Sequence, residues 1–272
     1  MGLEEKISST LLKEHLLKLA QAGKRKDGRK FDEMRPIEVK EGTFTKGLGE
    51  AWVSLGKTQV LTSLKFDIGE PYPDTPDKGV LISNVELLPL ASPSFEPGPP
   101  DENAIEMARV VDRAFRGSDA IDLSKLVVEE GKLVYILFLD LYVLDYDGNL
   151  FDALTLSSLI TFTRARIPVV KMGEDGSPKL VEGENFPLPL VDYPLSFSFV
   201  KIGEYLMLDP NLEEESVADA ALTLAIDKDL NICSVQKRNG TFKLSEINKA
   251  VDIARAKYPE VMEQVKKVVD IA

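Results

Sequence analysis

The chain has 272 residues, of which 44% are apolar and 29% are charged, and its formal net charge is −12. This composition can build a large hydrophobic core, so an intrinsically disordered chain is excluded. The negative balance argues against a surface that binds nucleic acid over its whole extent, and any contact with a polyanion must be local.

Cysteine and histidine occur once each, as Cys233 and His15. A single cysteine cannot form an intrachain disulfide, which fits a reducing compartment. Two such side chains are too few for a zinc site, and a Ser-His-Asp or Cys-His centre would depend on His15 alone. No apolar run approaches the roughly 20 residues of a membrane span, and no signal peptide is expected. We therefore expect a soluble, cytoplasmic protein without a metal or other cofactor.

The spacing of apolar residues predicts helices and strands in two successive sets. In chain order, the first set begins with a helix over residues 3–22, a strand over 37–41, a hairpin over 49–62, a strand over 80–88 and a helix over about 102–116. It continues with a strand over 133–144, a helix over 150–164 and a small hairpin with 173–176 at its tip. The strand over 133–144 has the composition of a buried central strand. After a loop-like, proline-rich stretch over 182–194, the second set is strands over 195–202, 205–209, 220–226 and 232–236 and a helix from about 244 that carries apolar positions past Pro259.

This order predicts an α+β fold of mixed sheets with helices packed on one side. We divide the chain into an N-terminal helix over residues 1–24, a first half over 25–182 and a second half over 183–272. Residues 53–61 and 200–208 have apolar side chains at the same offsets around one glycine, Gly56 or Gly203. This similarity suggests that the two halves arose by duplication.

The helix after Pro100 carries a row of three arginines. Asp101 is a good N-cap, and an apolar stripe that includes Ile105 and Phe115 predicts a buried face. Arg109, Arg113 and Arg116 stand at i, i+4 and i+7 and project from one face of the helix. The row therefore has the form of a wall that could face an anion.

A second interpretation of the row needs no ligand. Glu106 could pair with Arg109 at i+3, and Asp112 could pair with Arg116 at i+4. Such pairs contribute about 0.2–0.5 kcal/mol each and are common on solvated helix faces. Composition alone slightly favours this solvated face over a face that binds phosphate.

Several motifs, in the same order along the whole chain, resemble the RNase PH family. They are residues 27–29 with 35–37, 49–61, 84–102, 145–153 and 209–215. Within this family the chain is most similar to exosome ring subunits that lack an active site of their own. The resemblance implies an RNase PH-like fold of two S5-domain-2-like βαβ halves.

The resemblance also implies a set of partners. The chain would alternate with a catalytic RNase PH-type subunit in a hetero-hexameric ring that carries RNA-binding cap proteins. Single-stranded RNA would thread the central pore, and phosphate would shorten it from the 3′ end with release of nucleoside diphosphates. Each active site would lie near a subunit boundary, so an inactive subunit could contribute a wall to it.

Active members of the family resemble one another in the groups that hold phosphate. They carry an arginine pair at the start of the arginine helix, where this chain has Glu102 and Asn103. They carry a Gly-Ser-Arg turn before the next helix, where this chain has Gly148, Asn149 and Leu150. A glutamate would repel phosphate and a leucine cannot donate to it, so we expect the phosphate site to be degenerate.

The acidic pair of active members corresponds to Glu215 and Ala221, so one of its two carboxylates is missing. Residues 213–215 are three consecutive glutamates, and such a run usually forms a solvated turn. We therefore expect no catalytic residue in this chain. Arg109, Arg113 and Arg116 remain candidates to bind the RNA backbone, because guanidinium groups bind phosphate bidentately.

Three other functions stay open at this point. The chain could be an autonomous phosphate-dependent 3′-to-5′ exoribonuclease with a rearranged acidic site, which product release by the isolated chain would reveal. It could be an RNA-binding module that forms no ring, which a size measurement with a partner would reveal. Metal-dependent hydrolysis at the acidic run is less favoured, and a nuclease assay with Mg²⁺ and no phosphate would test it.

Overall fold

The structure is a computed structural model, and it describes residues 3–40, 46–173 and 177–269. Its α-helices are α1 (Leu3–Gln21), α2 (Glu102–Gly117), α3 (Leu150–Arg164), α4 (Leu212–Val217) and α5 (Leu244–Lys266), and a 3₁₀ helix spans Leu123–Leu126. Its strands are β1 (Ile37–Lys40), β2 (Gly49–Leu55), β3 (Thr58–Gly69), β4 (Val80–Leu87), β5 (Val127–Glu129), β6 (Leu133–Asp145), β7 (Arg166–Met172), β8 (Pro178–Pro187), β9 (Leu195–Ile202), β10 (Tyr205–Leu208), β11 (Ala220–Ile226) and β12 (Ile232–Arg238).

The first sheet has the order β1-β2-β3-β6-β4, with β5 paired to β6. It is mixed, because β4 runs parallel to β6 while the other pairs are antiparallel. Along β6, Leu137, Leu139, Leu141 and Val143 are fully buried, and the residues between them are partly buried. The strand is therefore central, as its sequence predicts, but only one of its faces lies in the core. That face packs against α3.

Helix α3 lies between the two sheets and is buried from Leu150 to Phe162. Its apolar residues join the core, and its hydroxyl groups bond to both sheets. Ser157 contacts Thr62 of β3 at 2.6 Å, and Thr155 contacts Ser196 of β9 at 2.9 Å. A helix buried on all sides is expected to satisfy its polar groups in this way.

The second sheet has the order β10-β9-β11-β12 and is antiparallel throughout these pairings. Ser196 and Ser198 of β9 face α3. Lys201, on the opposite face by the alternation of a strand, forms an ion pair with Glu246 of α5. Helices thus cover both faces of this sheet, and one continuous core joins both halves of the chain.

The similarity between residues 53–61 and 200–208 is a similarity of two hairpins. The β2–β3 hairpin turns at Gly56, with φ 59°, and the β9–β10 hairpin turns at Gly203, with φ 61°. A two-residue turn that joins antiparallel strands favours a residue with positive φ, and glycine adopts it without strain. The division into residues 1–24, 25–182 and 183–272 stays a prediction, and its second boundary falls inside β8.

Several elements differ from their prediction. Residues 182–187 belong to β8, so the predicted loop over 182–194 is wrong for that part, since the strand continues to pair with β7. Strand β3 continues to Gly69 because it pairs with β6 from Gln59 to Gly69. Helix α5, in contrast, continues past Pro259 as predicted. The β7–β8 hairpin is confirmed, although residues 174–176 of its predicted tip lie outside the described residues, as does the last residue of the predicted strand 37–41.

Candidate anion site and nucleic-acid interface

Helix α2 begins where the resemblance places the arginine pair of active members. The Asp101 carboxylate caps the helix and accepts a 2.8 Å hydrogen bond from the Ala104 N–H. This bond favours the charged carboxylate and holds the pKa of Asp101 below its ordinary value. Glu102 and Asn103 are both exposed, and the Asn103 side chain bonds to Asp101 and accepts from Arg238 at 3.2 Å. The beginning of α2 therefore presents negative charge to the solvent.

Helix α3 begins where the resemblance places the anion-binding turn. Asn149 is fully buried in the left-handed region, with φ 56°, and Leu150 is buried beside it. The backbone N–H of Asn149 donates to Glu215 Oε1 at 2.8 Å, and the Tyr146 hydroxyl donates to Glu215 Oε2 at 3.1 Å. The carboxylate of Glu215 thus takes two hydrogen bonds that this turn could otherwise offer to an external anion.

Burial has the largest effect on the pKa of the Glu215 carboxylate. Desolvation raises the pKa of Glu215, although the bonds from Asn149 and Tyr146 favour its charged form. Burial and the neighbouring Glu215 carboxylate together raise the pKa of Tyr146, which keeps its hydroxyl a donor. An incoming phosphate would have to displace a carboxylate that the chain itself supplies.

A cleft of about 390 Å³ opens in front of Glu215, between the start of α3, α4 and the second sheet. The structure brings Glu215 and Ala221 together in its wall, where the acidic pair of active members is expected. Ala221 adds no titratable group, so the pair reduces to one carboxylate. Phe151 and Arg238 also line the cleft, with the Arg238 Cζ atom 5.6 Å from the centroid of the Phe151 ring.

Behind the cleft, a buried ion network joins the two halves of the chain. Asp209 accepts bonds from Arg35 at 2.7 to 3.0 Å, from Arg29 at 3.0 Å and from Asn149 at 2.6 Å. Burial alone would raise the pKa of Asp209, but the hydrogen bonds and charge of Arg35 outweigh it and hold this pKa below its ordinary value. The motifs at 27–29, 35–37 and 209–215 therefore meet in one structural cluster.

The prediction of a solvated turn over residues 213–215 is wrong. These residues belong to α4, and Asn211 and Glu214 form a capping box at its N-terminus. Glu214 is buried and bonds to Arg25 at 2.5 and 2.8 Å, so burial of this pair draws the segment into the core. Only Glu213, paired with Lys26, stays at the surface. The three glutamates turn to three different partners and do not converge on a common metal position.

The arginine row is exposed along α2, but its members differ in what holds them. Arg116 donates to Asp112 at 2.7 Å and to the Leu81 carbonyl at 2.8 Å, which ties it to β4. Arg113 donates to Gln236 of β12 at 2.7 Å. Within the described residues, Arg109 has no ion pair and no side-chain hydrogen bond. Arg109 is therefore the row's most available cation.

One predicted pair is present and the other is wrong. Asp112 pairs with Arg116, as the i+4 spacing predicts. Glu106 does not pair with Arg109, because β12 lies against α2 and supplies stronger partners. Glu106 accepts from Gln236 Nε2 at 2.5 Å and pairs with Arg238 Nε at 3.1 Å.

Comparison with known proteins decides the family. Residues 33–168 match the first domain, and residues 192–257 the second domain, of the 3′ exoribonuclease family, RNase PH. The chain belongs to the RNase PH family. The confirmed fold is thus the RNase PH-like α+β fold with two domains that the resemblance predicts.

Relatives and solved structures within the family agree over nearly the whole chain. An exosome complex component Rrp42 of Thermococcus gammatolerans is 48% identical over 94% of both chains, and its counterpart from Thermococcus onnurineus is 46% identical over 98% of both. A structure described as the Archaeoglobus fulgidus exosome with RNA bound to the active site has 43% identity, covers 95% of this chain and 99% of its own, and gives a TM-score of 0.87. An archaeal exosome core has 39% identity, covers 97% and 100%, and gives a TM-score of 0.84.

Sequence reasoning missed four residues of this RNase PH chain that shape the site: Tyr146, Gln236, Arg238 and Glu214. Each acts through a partner more than 60 residues away in sequence, as the separations of 69, 123, 135 and 189 residues show. Only Glu214 left a local signal, because Asn211 and Glu214 have the spacing of a capping box. In the described part of the chain, no helix is both long and apolar enough to cross a membrane.

Proposed function

We propose that this chain is a non-catalytic, structural subunit of an archaeal exosome ring. It alternates with a catalytic RNase PH-type partner, helps to form that partner's active site, and binds RNA during 3′-to-5′ phosphorolytic degradation. The exosome names of its archaeal relatives support the ring, and their similarity over nearly full length supports the same role in it. The compartment proposed with this function is the cytoplasm.

The observation that carries the non-catalytic role is the Glu215 carboxylate at the start of α3. Phosphorolysis brings inorganic phosphate next to an RNA phosphodiester, and the two anions repel each other. Catalysis therefore depends on cations and N–H groups that are already in place for the incoming anion. Here the Asn149 N–H is bonded to Glu215, Leu150 is buried, and Glu102 adds negative charge at the start of α2.

The RNA contact is proposed for the arginine row, with its three members in different roles. Arg109 and Arg113 are exposed and can turn to a phosphate, whereas Arg116 has a structural bond to the Leu81 carbonyl. Contacts to the RNA backbone carry no base information, so this binding is insensitive to sequence and sensitive to salt. A local row of cations is also compatible with the net charge of −12.

A phosphorolysis assay on three samples tests this function: the purified chain, the purified RNase PH-type partner, and both after co-assembly. We expect the chain alone to release no nucleoside diphosphate from single-stranded RNA, and the assembled ring to release it only when phosphate is present. A sample without phosphate controls for hydrolysis. Phosphate-dependent release by the chain alone would establish the autonomous exoribonuclease instead, and failure of the two chains to co-elute would favour the ring-independent RNA-binding module.

A further inference from the structure

The side chains that connect α2 to β12 have a consequence for the arginine row. We propose that Arg238 is a positioning residue for RNA binding, which holds Glu106 away from Arg109 and so keeps the Arg109 guanidinium available to an RNA phosphate. This inference rests on the proposed function, because it assumes that the row contacts RNA. It adds a residue outside the row and assigns it an electrostatic task.

The Glu106 side chain is turned away from Arg109. Glu106 stands three residues before Arg109, a spacing at which oppositely charged side chains on a helix normally meet. Both of its carboxylate oxygens are already engaged on the other side. Oε1 accepts from Gln236 Nε2 at 2.5 Å, and Oε2 lies 3.1 Å from Arg238 Nε.

Strand β12 places Gln236 and Arg238, the two partners of Glu106, on one face. Gln236 and Arg238 are two residues apart in the strand, so they project to the same side, towards α2. Arg238 is further fixed by a 3.2 Å bond from Nη2 to the Asn103 side chain and by the Phe151 ring beneath it. The residue between them, Lys237, donates instead to the carbonyls of Asn239 and Gly240 at the end of the strand.

The three arginines of α2 differ in whether a partner neutralises their charge. Arg116 is neutralised by Asp112, and Arg113 is held by the uncharged Gln236. Arg109 would be neutralised by Glu106 in an isolated helix, but in the fold it is exposed and unpaired within the described residues. Arg238 gives its own charge to Glu106 and thereby leaves the charge of Arg109 for a ligand. Without Arg238, a carboxylate would compete with the RNA phosphate for Arg109.

The experiment measures the affinity of the assembled ring for a short single-stranded oligoadenylate, without added phosphate, over a range of salt concentrations. We expect Arg238→Gln to weaken binding by about 1.4- to 2.3-fold at low salt, the size of an exposed ion pair on a helix. The log–log slope against salt should become shallower, by at most about 0.7, because one phosphate contact weakens. Arg238→Lys, which keeps a cation beside Glu106, should bind almost as the wild type does.

The double variant Glu106→Gln with Arg238→Gln is the decisive comparison. Its net charge equals that of the wild type, and the Glu106 carboxylate that would compete for Arg109 is gone, so we expect wild-type affinity. Lys237→Gln makes the same charge change as Arg238→Gln one residue away, and it should leave the affinity almost unchanged. Co-elution of each variant with the partner and its melting temperature show whether the ring is intact.

Three results would overturn the inference. If the double variant binds as weakly as Arg238→Gln, Arg238 contacts RNA itself or only supports the fold, and it does not act through Glu106. If Arg109→Gln weakens binding but Arg238→Gln does not, the row binds RNA and Arg238 has no part in it. If Arg109→Gln has no effect, the inference fails together with the RNA contact proposed for Arg109, whereas the ring assignment is judged separately by co-elution and phosphorolysis.

Discussion

At the start of α3, two donors that could bind a phosphate instead bind a side chain of the same chain. The Asn149 N–H and the Tyr146 hydroxyl share the Glu215 carboxylate, at 2.8 and 3.1 Å. The same turn is held from behind by Asp209, which accepts from the Asn149 side chain at 2.6 Å. These contacts fix the turn through side chains of the chain itself, which supports the proposed structural role.

Two buried aspartates beside Asn149 have pKa values that are shifted in opposite directions. Burial raises the pKa of Asp152 to about 7, and the negative charge of Asp209 raises it further. Hydrogen bonds from Asn149 and Ser198 act in the opposite direction but do not outweigh burial. Arg35 holds the pKa of Asp209 below its ordinary value. The stability that Asp152 contributes is therefore fully present below its unfolded-state pKa, about 4, and is lost as the pH rises through about 7.

We predict that Asp152→Asn removes this pH dependence. Relative to the wild type, the variant should gain about 1–3 kcal/mol in the free energy of unfolding between about pH 5 and about pH 8, because the ionised carboxylate that it replaces is buried. Chemical denaturation of both proteins over this range measures the difference. The matched control is Asp32→Asn, an exposed aspartate, which should show no such trend. A constant difference between Asp152→Asn and the wild type would contradict the raised pKa.

Individual residues were predictable from the sequence only where a known motif aligned with them. Glu102, Asn103 and Leu150 stand at named positions of the RNase PH family, so their chemistry could be compared with that of active members. The partnership of Arg25 with Glu214 could not be predicted, because 189 residues separate them and both look like ordinary surface charges in the sequence. Burial changes the meaning of such charges, and burial is a property of the fold.

At the level of elements, α2 shows how neighbouring structure modifies a correct periodicity. The sequence predicts the helix, its cap and its arginine face. Its buried side is rotated from the predicted stripe, however, because β4 and β12 both contact the helix. Phe115 is buried against Phe162, with ring centroids 4.9 Å apart, whereas Ile105 is 51% exposed.

This rotation predicts different costs for two substitutions that the sequence would rank together. Phe115→Ala should lower the free energy of unfolding by about 3–5 kcal/mol, because it leaves a cavity between α2 and α3. Ile105→Ala, at the exposed position, should change it by less than about 0.5 kcal/mol. Denaturant unfolding of the two variants measures both values. Equal costs would mean that the Ile105 side chain is buried.

Elements were predictable to different degrees for physical reasons. Helix α3 and strand β9 agree with their predicted bounds, since each has a strong apolar pattern with a turn at one end. Helix α4 was missed because it is short and acidic. Its buried residues are Glu214, which pairs with Arg25, and Val217, so a single apolar side chain was left to reveal it. Strand β8 was underestimated because it is largely exposed and ends in prolines, which gives it the composition of a loop.

At the level of the whole molecule, the two halves of the chain cannot be separated into independent bodies. One core contains residues of both sheets, and α3 contacts both. Arg25, Arg29 and Arg35, from the segment before β1, bind Asp209 and Glu214 of the second half. The sequence indicates a duplication but cannot show this fusion, because the contacts that create it are distant along the chain.

The distribution of charge in the fold is compatible with the proposed binding of RNA by an acidic protein. Two groups of arginines differ in their use: the buried arginines before β1 join the halves, and the row on α2 is exposed at the surface. The net charge of −12 describes the molecule as a whole, while the proposed RNA contact involves only a local surface. In the proposed ring, this chain supplies that surface and its partner supplies the phosphate site.

The most direct test of the central claim is a crystal of the assembled ring soaked in inorganic phosphate. We predict that phosphate binds at the RNase PH-type partner's site and leaves the start of α3 in this chain without an ion, with Glu215 still bonded to Asn149 and Tyr146. A phosphate bonded to the Asn149 N–H, with the Glu215 carboxylate turned away from it, would contradict the claim that this chain has no phosphate site.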